Sequence, residues 1–176
     1  MTTDTGERRG WLWGPYSCLA LGVFLITLLL DQAHKFWMLD IYNIAERGRV
    51  YVTPFLDLVF VKNIGISYSM FDQESFIGQL VLAGFAVIAT LALWIWVARG
   101  VSSRVLAISL GLIMGGAIGN AIDRVRIGGV ADFFSMHAFG FYWYVFNIAD
   151  VAIVAGVIGL LYDSFLASRK DAAKSL

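Results

Sequence analysis

The chain has 176 residues, of which 59% are hydrophobic and 15% are charged. Its mean hydropathy is +0.75, and because a soluble domain of this length carries fewer apolar residues, the composition indicates a membrane protein. The formal net charge is zero, which gives no reason to expect a nucleic-acid partner. A single cysteine, Cys18, excludes an internal disulfide and a cysteine metal cluster, and the two histidines lack a zinc-type spacing. We therefore expect no metal and no cofactor.

Four charge-poor runs predict four transmembrane helices. Trp11–Leu30, Ser75–Ala98 and Val105–Ile122 contain no charged residue, and each is close to the length of about 20 residues that a spanning helix needs. The fourth run is charge-free only after Asp150, and it reaches full length when that aspartate is included in its first turn. The predicted spans are about 13–33, 75–98, 105–122 and 146–166.

The distribution of basic residues predicts the orientation of these spans. An even number of spans puts both termini on one side of the membrane. Arg8 and Arg9 precede the first span, and Arg99 and Arg104 flank the loop between the second and third spans. Because loops rich in Lys and Arg stay inside, we expect these regions and both termini to be cytoplasmic.

Two segments then lie on the outer side. The segment of about 36–74 is rich in Val, Phe, Tyr and Thr, and Val50–Val52 and Leu56–Lys62 are typical of short strands, so it predicts a small sheet. The second segment, Asp123–Val145, is an aromatic loop of a kind that favours the bilayer interface. The predicted fold is a mostly α membrane protein, one domain over 1–176, with four transmembrane helices and a small extracytoplasmic β-sheet.

Two aspartates of the C-terminal half are candidates for chemistry. Asp132 lies in the second outer segment and Asp150 at the start of the fourth span, so a loop that returns across the membrane surface would bring them together. Two adjacent carboxylates do not both ionise easily, and the resulting acid and base can activate a water and protonate a leaving group. Such a pair hydrolyses a peptide bond without metal, serine or cysteine. The alternative is a helix cap or an ion pair with Arg124 or Arg126.

A polar group ends the third span. Asn120 lies one helical turn before both Asp123 and Arg124, so these side chains share a helix face. They either support the site by holding backbone or a carboxylate in place, or simply end a membrane helix. Asp123 is also a rival of Asp132 and Asp150 for a place in the pair.

Small residues line the same helix before this polar end. Gly111, Gly115 and Gly119 recur every fourth residue, a spacing that allows close packing of helices in lipid. Gly116 lies beside them. We expect these glycines to hold the third span tightly against its neighbours.

Three further features stand near the predicted outer surface. Asp31 and Lys35 are spaced for an intrahelical ion pair, although Lys35 could instead meet lipid phosphate or peptide carbonyls. Asn63 and Gly65 predict a turn after a strand. Asn147 is placed to cap the fourth helix, whose positive end would favour an ionised Asp150.

Four motifs occur in one order along the chain, and together they resemble the lipoprotein signal peptidase family, signal peptidase II. They are DQAHK at 31–35, KNIGISYSMF at 62–71, GGAIGNAIDRVRIGGVADFF at 115–134 and FNIAD at 146–150. The resemblance implies a bacterial inner-membrane aspartic endopeptidase with its site near the outer face. Such an enzyme removes the signal peptide from prolipoproteins, N-terminal to a cysteine that already carries diacylglycerol.

The resemblance also implies roles for residues. The aspartates of GGVADFF and FNIAD, Asp132 and Asp150, match the catalytic pair, and Asp123 then becomes a supporting residue. The positions that match substrate-binding or supporting residues are Asp31, Lys35, Asn63, Gly65, Gly116, Asn120, Asp123, Arg124 and Asn147. NIGISYS stands where NTGAAFS is frequent, and the proline often found before FN is absent, but neither change removes a catalytic group.

The implied partners are diacylglyceryl-modified prolipoproteins, membrane lipid and the cyclic-peptide inhibitors of the family. Two other classes of protein remain as alternatives. A proton- or cation-coupled transporter would use the aspartates as a relay, but four helices without an internal repeat argue against common transporter designs. A structural or lipid-binding membrane protein would tolerate replacement of either Asp132 or Asp150 by asparagine.

Overall fold

The computed structural model describes residues 11–65 and 75–174, with side chains as far as residue 169. Four long helices dominate it, and each is long and apolar enough to cross a membrane, which confirms the prediction of four transmembrane helices. A π-helical turn, Trp37–Ile41, prolongs the first, and a short helix α2, Ile44–Arg47, follows it. The long helices are α1 (Ser17–Phe36), α3 (Phe76–Gly100), α4 (Arg104–Ile127) and α5 (Ile148–Lys174).

Helix α4 is the centre of the bundle, since α1, α3 and α5 all pack along it. Its glycines make this approach possible. A Cβ on Gly111 would lie 2.7 Å from the carbonyl oxygen of Ala20 in α1, and one on Gly116 would lie 2.5 Å from the carbonyl oxygen of Ala149 in α5. The predicted packing role of the small residues is therefore confirmed, and it brings the polar end of α4 directly against the start of α5.

The sheet has four antiparallel strands in the order β1-β2-β3-β4. Strands β1 and β2 come from the segment predicted to form a sheet, whose last residues, 66–74, lie outside the described residues. The other half corrects the prediction, because the segment expected to be an aromatic loop forms β3 and β4. The strands are β1 (Val50–Thr53), β2 (Leu56–Asn63), β3 (Val130–Ala138) and β4 (Phe141–Phe146).

The hairpin between β3 and β4 explains the correction. Phe139 and Gly140 form its two-residue loop, and both have positive φ, 52° and 81°, as tight hairpin turns of the primed types require. The aromatic and β-branched residues on either side suit strands as well as they suit a bilayer interface. As a result Asp132 lies on a strand, not in a loop, and pairs with Val61 of β2.

Alternation along β3 gives the sheet two different faces. Ala131 and Phe133 are fully buried against Met38 and Ile44, which fastens the sheet to the end of the first helix. Asp132 belongs to the opposite face of the strand, where it meets the start of α5.

The helix ends differ from the prediction for local reasons. Helix α1 begins at Ser17, not near 13, because the preceding turn is fixed by a hydrogen bond from the Gly14 N–H to the Ser17 hydroxyl (2.8 Å). Helix α4 continues past 122 to Ile127, because Asp123 finds polar partners inside the protein and does not end the helix.

Candidate active site

The first turn of α5 carries one of the two candidate aspartates in a reciprocal cap. Asp150 donates its backbone N–H to the Asn147 side-chain oxygen (2.9 Å), and its own carboxylate accepts the backbone N–H of Asn147 (3.1 Å). This arrangement is a capping box, in which two otherwise unpaired N–H groups of the helix start are satisfied. It confirms the predicted N-cap and fixes the Asp150 carboxylate at the positive end of α5.

The second aspartate, Asp132, is held by two amide side chains. Its Oδ1 accepts a hydrogen bond from the Asn147 side-chain amide (2.7 Å), and its Oδ2 accepts one from Asn63 (3.1 Å). Burial, aided by the negative charge of Asp150, raises the pKa of Asp132 to about 6, against the lowering effects of these hydrogen bonds and of Lys35. Asn147 thus contacts both carboxylates, so the structure brings Asp132 and Asp150 to one residue, as predicted.

Asn120 of α4 joins this pair to a buried ion cluster. Its amide donates to Asp150 Oδ1 (2.9 Å), while its oxygen accepts from the side chains of Asn147 (3.1 Å) and Lys35 (3.1 Å). Both of these donors belong to other parts of the fold, Lys35 to α1 and Asn147 to the start of α5. The orientation of the Asn120 amide is therefore determined, and it presents a donor to Asp150.

Lys35 is the cation of that cluster and is 2% exposed. Its ammonium lies 2.8 Å from Asp31 and 2.7 Å from Asp123, so the predicted pair with Asp31 is confirmed, and both partners lie inside the protein. Burying charges is costly unless they are paired and hydrogen-bonded. Here Gln32, which the sequence reasoning missed, adds hydrogen bonds to both Asp31 (3.1 Å) and Asp123 (3.3 Å).

The two carboxylates paired with Lys35 each hold the backbone immediately before a candidate catalytic residue. Asp123 accepts the N–H of Ala131 (3.1 Å), which precedes Asp132. Asp31 accepts the N–H of Ala149 (3.0 Å), which precedes Asp150. One buried lysine thereby couples the start of β3 to the start of α5. Asp123 is fully engaged in this role, which argues against its rival place in the pair.

The remaining predicted residues surround this centre. Asn63 also accepts the Gly65 N–H (3.0 Å), and Gly65 has φ of 98°, so the predicted turn is confirmed. Arg124 donates one guanidinium N–H to the Asn120 carbonyl (3.1 Å), while its buried Nε has no hydrogen-bond partner in the described part of the chain. Gln79, not predicted, donates to the Ile64 carbonyl (2.6 Å) and supports the turn. Its only sequence signal was a polar residue inside a span.

The arrangement can perform acid–base chemistry. Within the described residues, neither Asp132 nor Asp150 forms a salt bridge, and no group of three or more His, Cys, Asp or Glu side chains is placed to hold a metal ion. Two adjacent carboxylates, fixed by amide donors and differing in environment, can share one proton between an acid and a base.

Comparison with known proteins gives one consistent family. The profile described as Signal peptidase (SPase) II matches residues 23–166. A lipoprotein signal peptidase of Nitrobacter hamburgensis is 53% identical over 153 residues, which cover 85% of this chain and 92% of that protein. One of Methylobacterium sp. is 49% identical over 156 residues, which cover 88% of this chain and 94% of that protein.

Solved structures show the same fold. A bacterial membrane enzyme whose structure was determined by the in meso method at 2.3 Å resolution superposes with a TM-score of 0.70. The match covers 90% of this chain and 92% of that one, at 24% sequence identity. A second in meso structure of a bacterial membrane enzyme, at 1.9 Å resolution, gives a TM-score of 0.69 over 83% of this chain and 92% of that one.

Proposed function

The chain belongs to the signal peptidase II family of aspartic peptidases, which cleave signal peptides from prolipoproteins, and on this basis we propose that Asp132 and Asp150 are its catalytic pair. The substrates we propose are prolipoproteins whose cysteine already carries diacylglycerol, cut on the N-terminal side of that cysteine. The observation that carries the assignment is the double contact of Asn147, which donates to Asp132 through its side chain (2.7 Å) and to Asp150 through its backbone (3.1 Å).

We assign the shared proton to Asp132 in the resting pair. Burial and the neighbouring charge raise the pKa of Asp132 to about 6, whereas Asp150 lies at a helix N-terminus, where a negative charge is favoured.

The proposed reaction follows from these roles. Asp150 takes a proton from a water while the water oxygen attacks the scissile carbonyl carbon, and Asp132 gives its proton to the carbonyl oxygen. When the resulting gem-diol collapses, the C–N bond breaks and the proton held by Asp150 moves to the leaving nitrogen. A proton of the gem-diol returns to Asp132. The products are the signal peptide with a free carboxyl group and the lipoprotein with a free amine on its lipidated cysteine.

The four spans and the family make the chain a multi-pass protein of the bacterial inner membrane. We propose that both termini are cytoplasmic, because basic Arg99 and Arg104 flank the connection between α3 and α4. The sheet and the catalytic pair then face the outer side, where lipidated substrates arrive from the bilayer. Membrane lipid and the cyclic-peptide inhibitors of the family are the further partners we propose.

The test is cleavage of a diacylglyceryl-modified prolipoprotein by purified wild type, Asp132→Asn and Asp150→Asn. Each variant should lower kcat/KM by about 10³-fold or more, because either change removes the acid–base pair. Asp40→Asn is the control, since Asp40 belongs to an exposed pair with Arg126 (3.3 Å), and it should cleave like wild type.

Asp123→Asn addresses the rival assignment in the same assay. Wild-type rates in either Asp132→Asn or Asp150→Asn, with loss of cleavage in a folded Asp123→Asn, would exclude the proposed pair. A folded wild-type protein that cleaves no lipidated prolipoprotein would exclude the proposed function itself.

A further inference from the structure

An apolar groove is lined by residues of the same strand and helix that carry the proposed catalytic pair. Its volume is about 480 Å³, and it runs between the sheet and the first turns of α5. The side chains that form its walls include Leu56, Phe134, Met136, Phe146, Ile148 and Val151. None of these residues has a part in the catalytic network described above.

Residues that line the groove neighbour both catalytic residues along the chain. Phe134 and Met136 follow Asp132 at intervals of two residues along β3, so they share the strand face from which Asp132 reaches Asn147. On the other side, Val151 follows Asp150 in α5. A group that is covalently attached close to the scissile bond can therefore enter the groove while that bond lies at the pair.

The position of the groove relative to the bilayer favours a lipid. Ile148 begins the membrane-spanning part of α5, Ile148–Arg169, so the groove opens at the outermost turn of a span. Phe134, which forms one wall, is held by ring contacts with His34 (centroids 5.2 Å apart) and Phe146 (5.7 Å). The wall is therefore fixed in place by neighbouring rings.

The chemistry of the walls excludes a peptide backbone as the main occupant. Among the described residues that line the groove, Thr53 supplies the one polar side chain, and its hydroxyl already accepts the N–H of Phe55 (3.2 Å). A peptide brings one N–H and one C=O for each residue, and these need partners when they are buried. A hydrocarbon chain brings none.

We propose that this groove binds one acyl chain of the diacylglyceryl group on the substrate cysteine. The inference rests on the proposed function and deepens it, because it gives the lipid of the substrate a place next to the scissile bond. Burial of the chain there positions the modified cysteine relative to Asp132 and Asp150. The groove, and not the catalytic pair, therefore recognises the lipid modification.

Two matched substitutions on α5 test the proposal. Val151 and Val154 are both lipid-accessible, 53% and 58% exposed, but only Val151 lines the groove. We compare Val151→Trp with Val154→Trp on two otherwise identical lipopeptides, one with palmitoyl and one with octanoyl chains. In wild type the palmitoyl substrate should have the lower KM.

Val151→Trp should raise the KM of the palmitoyl substrate about tenfold, which corresponds to roughly two methylenes that are no longer buried, and should leave the octanoyl substrate nearly unchanged. Val154→Trp should retain the wild-type ratio. Equal KM values for the two chains in wild type and in Val151→Trp would overturn the proposal. So would an equal loss of kcat for both substrates in Val151→Trp, since that would mean damage to the neighbouring Asp150.

A second measurement is independent of cleavage. A lipopeptide with a diazirine at the end of one palmitoyl chain is bound to the Asp150→Asn variant and activated by light, and the adducts are mapped by mass spectrometry. We expect adducts on Leu56 and Met136. Adducts confined to the lipid-facing sides of the spans would overturn the proposal. So would groove labelling by a diazirine phospholipid that excess substrate does not reduce, because the groove would then hold bulk lipid. Groove labelling by a diazirine placed in the signal peptide would overturn it as well, because the peptide would then occupy the groove.

The two measurements separate this inference from the proposed function. If folded wild type cleaves neither lipopeptide, the proposed function fails, whereas the cross-linking still reports where the acyl chain lies. If wild type cleaves both lipopeptides with equal KM, the function stands and the groove assignment fails.

Discussion

Asp57 and Asp132 lie on neighbouring strands of one sheet, and both are inaccessible to solvent, with 0% and 1% exposure. They differ in their partners. Asp57 accepts hydrogen bonds from Arg49 (2.8 Å) and His137 (3.1 Å), whereas the partners of Asp132 among the described residues are the neutral amides of Asn63 and Asn147. Asp57 pairs across the sheet with Ser135, an odd number of residues from Asp132, so the two carboxylates point to opposite faces.

The difference in partners reverses the effect of burial on the pKa. Burial alone would raise the pKa of Asp57, but the hydrogen bonds and positive charges of Arg49 and His137 outweigh it and lower the pKa below its usual value. For Asp132 burial prevails and the negative charge of Asp150 adds to it, so the pKa rises to about 6 despite the hydrogen bonds from Asn63 and Asn147 and the charge of Lys35. Burial therefore makes a carboxylate stable or reactive according to the charge that faces it.

The largest expected contrast is in thermal stability. Asp57→Asn should lower the Tm clearly, because it leaves Arg49 without its counter-charge, and it should leave the kcat of the folded fraction close to wild type. Since the pKa of Asp57 is lowered by folding, its contribution is present above the usual value of 3.8 and is lost as pH falls through the folded value.

Asp132→Asn is the matched counterpart. The raised pKa of Asp132 means that its stabilising contribution is present below 3.8 and is lost as pH rises through about 6, a cost of about 3 kcal/mol at neutral pH. Asparagine removes that cost, but its own NH2 group then faces the amide donor of either Asn63 or Asn147. The lost hydrogen bond destabilises the fold by about 1–3 kcal/mol. The Tm should therefore change little. A larger loss of Tm in Asp132→Asn than in Asp57→Asn, with Asp40→Asn as the neutral control, would contradict the comparison.

Much of this contrast was hidden from the sequence. The four spans were predictable because a run of about 20 apolar residues is typical of a membrane-spanning helix. The proposed catalytic pair rests on the resemblance of its motifs to a known family. The cluster around Asp57 joins residues 8 and 80 positions apart, and no local spacing indicates that they meet. Lys35 and Asp31 were predictable as a helical pair, but the second partner, Asp123, lies on another helix.

The strands show a different reason for failure. Val, Phe, Tyr and Trp are the residues of strands and also of bilayer interfaces, so the composition of β3 and β4 fits both. The sequence therefore placed Asp132 in a loop and not on a strand, although it did predict that Asp132 lies near Asp150. Pairing with β2 decides whether this segment forms strands or an interfacial loop. That pairing joins segments about 70 residues apart, such as Asn63 and Asp132, which are 69 positions apart.

The second prediction concerns the pH dependence of cleavage. If Asp132 must hold the proton, kcat/KM of wild type should fall as pH rises through about 6, approaching a tenfold loss per pH unit on the alkaline side. Asp57→Asn should leave this alkaline limb in place, because Asp57 faces the other side of the sheet. A rate that is constant from mildly acidic to mildly alkaline pH would reject the assignment of the proton to Asp132.

Replacement of Asn63 should have the smallest effect, a shift in the pH dependence of kcat/KM. This effect is specific to the protonation of Asp132. The Asn63 amide donates to Asp132 (3.1 Å) and favours the ionised form, so its loss should raise the pKa of Asp132 and move the alkaline limb of kcat/KM upward by roughly 0.5–1 pH unit, as one hydrogen bond predicts. Asn63 also accepts the Gly65 N–H (3.0 Å), so Asn63→Ala loses two contacts at once.

Asn63→Asp separates these two contacts. Aspartate keeps the oxygen that accepts the Gly65 N–H, but it faces Asp132 with an acceptor and a negative charge. The limb should move upward at least as far as in Asn63→Ala, while the turn is retained. If both variants lower the rate without moving the limb, Asn63 acts through the turn alone. The comparison between Asp57 and Asp132 would then rest on their charged neighbours and not on the amides.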